Sequence, residues 1–303
     1  MKPRFFRIGY IATLILFLVS ISAQAAAAKF EPQRTSWGTP DIQGVWDFRT
    51  LTPFERPPEF ADKAVLTAEE AEAFRHNTLQ VLDVDNRISE ARIDVEAAYN
   101  TFWWDWGTEL NEDRRTSLII DPPNGRLPEI QPAAMARMKE HNLLRTPPVR
   151  DLFSLSAIPS PYLPTDPESL GLSERCLVGF NAGPPLTPSA YNNNLRIVQT
   201  PDHVVLVTEM IHDARIVPMN GRPHLPSEIR RWSGDSRGRW EGNTLVIETT
   251  NFTDKTPTMQ LPVTLANIQE SGGVGSGKNM LLIERITPVE EGRLLYEYTL
   301  NDP

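Results

Sequence analysis

Four ionisable residues crowd into 208–217: Glu209, His212, Asp213 and Arg215. An imidazole flanked by carboxylates, with a guanidinium nearby, is the residue set of general acid–base chemistry. A carboxylate orients the ring, and the ring moves a proton near neutral pH. Glu209 follows Val205 and Val207 at the two-residue spacing of a strand, which sets it on their face, turned inward. A carboxylate carried inward needs a cation, a hydrogen bond or a raised pKa. The candidate catalytic residues are therefore Glu209, His212 and Asp213, with Arg237 as an electrostatic clamp. The same residues also suit a plainer role, a hydrogen-bonded His and an ion-paired Arg at a strand end.

A second group interleaves Asp235, Arg237, Arg239 and Glu241 with Gly234, Gly238 and Gly242, and Trp240 stands among them. Glycines permit close backbone approach and a nest of N–H groups, and Arg forks grip carboxylate or phosphate. The alternative is a loop pinned by its own Asp–Arg pairs. Trp103, Trp104 and Trp106 form either a stacking platform or ordinary core packing. Arg175 adds a cation beside Cys176, the only cysteine, which reads as a buried small hydrophobe. The candidate ligand-binding residues are Arg237, Arg239, Trp240, Trp103, Trp104 and Arg175.

Other chemistries lack their residues. The run 272–278 fits G-x-x-x-x-G-K, but Asn279 follows instead of Ser or Thr, and a strand rather than a helix comes next. A phosphate loop needs both, so this is a flexible connection. The five His never fall at zinc-ligand spacing, and G-x-S-x-G does not occur. Neither metal nor cofactor is expected.

The elements that must position these groups are mostly strands. Residues 228–252 organise the rest: a long Gly-studded loop feeds a central strand at 244–252, rich in β-branched residues. Further strands are expected at 195–200, 203–210, 214–219, 280–289 and 294–300, with Pro201-Asp202 and Glu290-Glu291-Gly292 as tight turns. Leu294, Tyr296, Tyr298 and Leu300 alternate with Leu295, Glu297 and Thr299, so one face is buried and the pairing is antiparallel. A first strand at 42–48 contains Gly44-Val45-Trp46. A helix at 68–81 opens with a Thr67–Glu70 capping box. A short strand is expected at 116–120, and a second helix runs from Pro132 to about 141. The Pro-rich stretch 147–188 is extended coil anchored by Phe153, Phe180 and Leu186.

Lys2, Arg4 and Arg7, the apolar run 8–21 and Ala23-Gln24-Ala25 are the three parts of a secretory leader at 1–25, so the protein is expected to be periplasmic or secreted. The uncharged stretch 8–28 is also just long enough for a retained anchor. Net charge is −9, falling to about −12 without the leader, which argues against nucleic acid and anionic membranes as partners. A single cysteine excludes an internal disulfide, so stability must come from a core, which 303 residues can supply.

The Gly44-Val45-Trp46 element resembles the G-x-W element of lipocalin-like barrels, in which an Arg from a late strand packs across the Trp. Arg285 shares a face with Leu281 and Ile283 and is the expected partner. The runs RTSLIIDPPNGRLP (115–128), SERCL (173–177), 191–224 and GDSRGRWEGNTLVIETTNF (234–252) together resemble a widespread family of exported bacterial proteins. That resemblance implies one continuous architecture and a chain that continues beyond Asp302-Pro303, and it implies no activity.

The expected fold is mainly β, a lipocalin-like antiparallel barrel or strongly curved sheet. It forms a single domain over 29–303 with a helix-and-coil insertion at 54–190. Its late strands wrap back onto Trp46, giving a shared interior with Leu245, Ile283 and Tyr296. The expected function is binding of a small, partly apolar and anionic ligand in the barrel mouth. A cofactor-independent acid–base enzyme and a structural role at the envelope are the alternatives.

Overall fold

The computed structural model describes residues 30–83, 102, 104–140, 167, 172–173, 175–260, 273–275 and 277–303. The expected leader, Trp103 and much of the Pro-rich coil lie outside the described residues.

Eight strands build two antiparallel sheets. The first holds β1 (Gly44–Asp47), β2 (Asn194–Gln199), β3 (His203–Thr208) and β4 (Ala214–Pro218), hydrogen-bonded in that order. The second holds β5 (Asp235–Glu241), β6 (Thr244–Thr250), β9 (Leu281–Glu290) and β10 (Arg293–Asn301), in the order β10-β9-β6-β5. A two-residue pair, β7 (Met259–Gln260) with β8 (Gly273–Val274), lies between β6 and β9 in the chain.

The sheets meet around one core. Leu195, Ile197, Val204, Leu206 and Val217 of the first pack with Leu245, Ile247 and Ile286 of the second, and Trp46, Trp240 and Tyr296 close against them. The shared interior expected from Trp46, Leu245 and Tyr296 is present, while Ile283 faces away from it. Strands β4 and β5 approach where Gly238 leaves room. A Cβ there would stand 2.3 Å from Met219 Sδ and 2.9 Å from Val217 Cγ1. Among the described residues, no ladder joins β4 to β5 or β10 to β1, so the sheets are two and not one hydrogen-bonded circuit.

Several expectations change. The Gly-studded run is not a loop: β5 pairs with β6 from Asp235↔Thr250 to Glu241↔Thr244, turning at Gly242 with φ +63°. Asp and Gly are poor strand formers, but β6 offers a largely buried partner strand, and tertiary context overrides propensity. Residues 116–120 form no strand. They are tied through a single bridge, Val65↔Arg115, and backbone bonds to Pro53, Phe54 and Ala64.

The helices agree with the sequence. α1 (Ala68–Leu82) starts at Thr67, whose hydroxyl accepts from Glu70 N while the Glu70 carboxylate accepts from Thr67 N. Glu70 is held down to about 2 by its hydrogen bond from Lys63 and those at Thr67. α2 spans Pro132–Glu140. Among the described residues, no helix is long and apolar enough to cross a membrane.

Candidate functional site

The second sheet points a carboxylate into the core. Glu284 alternates with Leu282 and Ile286 on the inner face of β9 and is 0% exposed. Across the interior, Arg215 of β4 meets it in a two-pronged fork, Nη1 to Oε2 at 2.5 Å and Nη2 to Oε1 at 2.8 Å. Tyr296 Oη donates to Glu284 Oε1 at 2.8 Å and accepts from Leu186 N at 3.0 Å. Arg215 sits on the second sheet's carboxylate because β4 alternates: Ile216 points out, Arg215 and Val217 in.

Electrostatics follow from this geometry. Burial works against the charge on Arg215, and the Glu284 carboxylate more than offsets it, leaving its pKa above the ordinary value. Burial, reinforced by the Glu284 charge, pushes the Tyr296 hydroxyl well up, so it stays a proton donor. The same two causes raise Tyr298.

Beside this triad lies a small cleft. It is lined by Ala182, Pro184 and Leu186 of the coil, Leu206 and Thr208 of β3, and Asp213 and Arg215. Its volume is about 10 Å³, room for a single water. The Thr208 hydroxyl donates to Met210 O at 3.2 Å, and Asp213 Oδ2 accepts from Ser233 Oγ at 3.2 Å. The roof is the 182–187 coil, stitched down by Leu186 N on Tyr296 Oη.

The acid–base group is only partly assembled. Asp213 lines the cleft, whereas Glu209 and His212 are exposed and outside its lining. Glu209 faces outward, correcting the inward placement: Val204, Leu206 and Thr208 are the buried set of β3. Its carboxylate accepts from Asn194 N and Nδ2, at 3.2 and 2.8 Å. His212 has φ +46° in the turn between β3 and β4.

The Arg residues of β5 are tied to their own neighbours. Arg237 donates to Asp235 Oδ1 at 2.8 Å and to the carbonyls of Arg222, Pro223 and Ser236. Arg239 and Arg285 both hold Glu241, at 2.9 and 3.0 Å. Arg285 therefore points outward, not across Trp46, whose indole instead donates to Ile42 O at 2.9 Å. Trp240 packs against the core from β5. Trp104 is buried, stacked on Trp106 with centroids 5.2 Å apart, and Tyr191 leans on it. It is interior packing under the coil. Arg175 lies in the turn before Cys176, and Cys176 is exposed rather than buried.

The knot on the β5–β6 edge contains the Asp–Arg pairing that the sequence offered as an alternative, but adds His224 and Glu248, which the sequence reading did not include. Asp235 accepts from Leu225 N at 3.0 Å and from Arg237, and its Oδ2 lies 3.1 Å from His224 Nδ1. His224 Nε2 is 3.3 Å from Glu248. Burial pushes the Asp235 carboxyl up, but these donors outweigh it and hold it below the usual range. Among the described residues, no cluster could hold a metal ion.

Sequence reasoning missed Glu284, because its phase is set across the β9–β10 hairpin only after a register shift at Arg293/Leu294. Inward Tyr296 pairs with Ile286, which puts Ile286 and then Glu284 on the inner face. Comparison with family models, with curated proteins and with solved structures returned no match.

Proposed function

We propose that the protein is exported and binds a small, partly apolar molecule at the cleft between the 182–187 coil and strands β3 and β4. The observation that carries this reading is the composition of the lining. Ala182, Pro184, Leu186 and Leu206 supply apolar contact, and Thr208, Asp213 and Arg215 converge on the same point. Binding sites combine such walls with a few oriented polar groups. Arg215 keeps N–H donors beyond the two engaged by Glu284, and Asp213 supplies an acceptor, so the ligand carries both a donor and an acceptor, such as a short carboxylic or hydroxy acid.

At about 10 Å³ the closed cleft is far below the ~300 Å³ of a drug-sized site. Entry therefore requires the coil to lift, breaking one hydrogen bond and withdrawing Leu186 from the core. The acid–base alternative loses support, since His212 stands outside the cleft.

Native mass spectrometry of protein purified from its own cell envelope tests this. A co-purifying small molecule is expected, together with loss of that molecule in Ala182→Phe, which fills the cleft. A ligand at about 100 times its Kd should raise unfolding free energy by about 2.7 kcal/mol in the wild type and not in the filled variant. The bare polypeptide mass, with no stabilisation by small carboxylic or hydroxy acids, overturns the reading.

A further inference from the structure

The segment 104–106 and the coil 181–193 are stitched together by amides. Asn193 is fully buried, and both ends of its side chain are spent. Its Oδ1 accepts from Ser189 N at 2.9 Å and from Asn181 Nδ2 at 3.3 Å. Its Nδ2 donates to Asp105 O and Ser189 O, both at 2.9 Å. Asn181 Nδ2 also donates to the carbonyls of Tyr191 and Asn192, at 3.0 Å each. With acceptors all around that nitrogen, the Asn181 amide can point only one way, and its oxygen faces elsewhere.

Three polar atoms of this seam are left over. Asn181 Oδ1, Ser189 Oγ and Trp106 Nε1 are each enclosed and meet no hydrogen-bond partner among the described residues. Asn181 is 1% exposed and Ser189 5%, so bulk solvent does not serve them. The three residues are neighbours. Asn181 and Ser189 share Asn193 Oδ1, and Trp106 follows Asp105, whose carbonyl Asn193 also holds. Trp106 packs with Trp104 on Ala190, the residue after Ser189. Unpaired buried polar groups are costly, and folded proteins rarely gather several in one place.

Their chemistry selects the occupant. An amide oxygen only accepts, an indole N–H only donates, and a hydroxyl does both. A cation would oppose the indole N–H, and an anion would oppose the amide oxygen. A neutral molecule that both donates and accepts suits all three. We propose that the seam is a binding site for internal water, which donates to Asn181 Oδ1, accepts from Trp106 Nε1 and completes the Ser189 hydroxyl. Buried water makes about three such bonds, the number on offer here. The site stands apart from the cleft, since none of the three residues lines it.

A crystal structure of the purified full chain, at a resolution that shows ordered water, tests this directly. Density for a water within about 3.2 Å of at least two of the three atoms is expected. Urea unfolding of Ser189→Ala reads the same site in solution. A stranded hydroxyl would be removed without loss, whereas one bonded to water should raise the unfolding constant about fivefold when it goes. No density at the seam overturns the proposal, as does an ion or a larger molecule there, protein partners for these atoms, or a Ser189→Ala protein as stable as the wild type.

Discussion

Removing the Glu284 carboxylate would take from the buried Arg215 guanidinium the partner of both its hydrogen bonds and its main counter-charge. Breaking one side of a buried pair costs about 3–5 kcal/mol, whereas replacing both sides by apolar groups is often near neutral. Glu284→Gln should therefore destabilise by that order in urea unfolding, and Arg215→Met with Glu284→Leu should recover most of it. Asp235 gives a pH prediction. Its folded pKa lies below the unfolded value near 3.9, so its contribution is full above that pH and is lost as pH falls through the lower folded value. Asp235→Asn should be the less stable protein at neutral pH, with the difference shrinking as pH falls below the ordinary aspartate range, as read by urea unfolding across pH. Residue identities alone gave Asp213 and Arg215 as neighbours of interest but not Glu284. In β9, Leu281, Ile283 and Arg285 form one alternating set and Leu282, Glu284 and Ile286 the other, two apolar residues and one charge in each. That pattern has no phase of its own.

At the scale of elements, the hairpin settles what the strand does not. The β9–β10 pairing carries the clear alternation of β10 onto β9, but a register shift between Arg293 and Leu294 decides the phase. A plain two-residue turn would have put Arg285 inward instead of Glu284. The same ambiguity explains Glu209, since β3 is apolar on both faces and either phase reads as inward. Strand β5 failed for another reason: its Asp and Gly residues have a structural role as strand partners that propensity ranks low. Gly238 is the clearest case, because Met219 and Val217 fill the space its side chain would take. Gly238→Ala should cost about 1–3 kcal/mol by overpacking, and adding Met219→Ala should return part of it, as read by thermal unfolding. The cap of α1 was fully legible. Thr67→Ala should cost about 1 kcal/mol, confined to the region around that helix in hydrogen exchange.

For the molecule as a whole, the sheet content and the common core with Trp46 were readable from alternation and turns, while the break between β4 and β5 was not. Closure depends on how far two strands twist apart, a quantity that no single segment encodes. Protection from hydrogen exchange should be greatest in β6 and β9, which are flanked on both sides, and least along the free edges of β1 and β10. The Arg215–Glu284 fork also acts at this scale, because its two halves belong to opposite sheets. If either sheet slid past the other by one residue, a guanidinium and a carboxylate would each be left in oil with no counterpart. The bridge is a dowel: it permits one alignment of the halves and makes every neighbouring alignment expensive, whatever the greasy surfaces around it would tolerate.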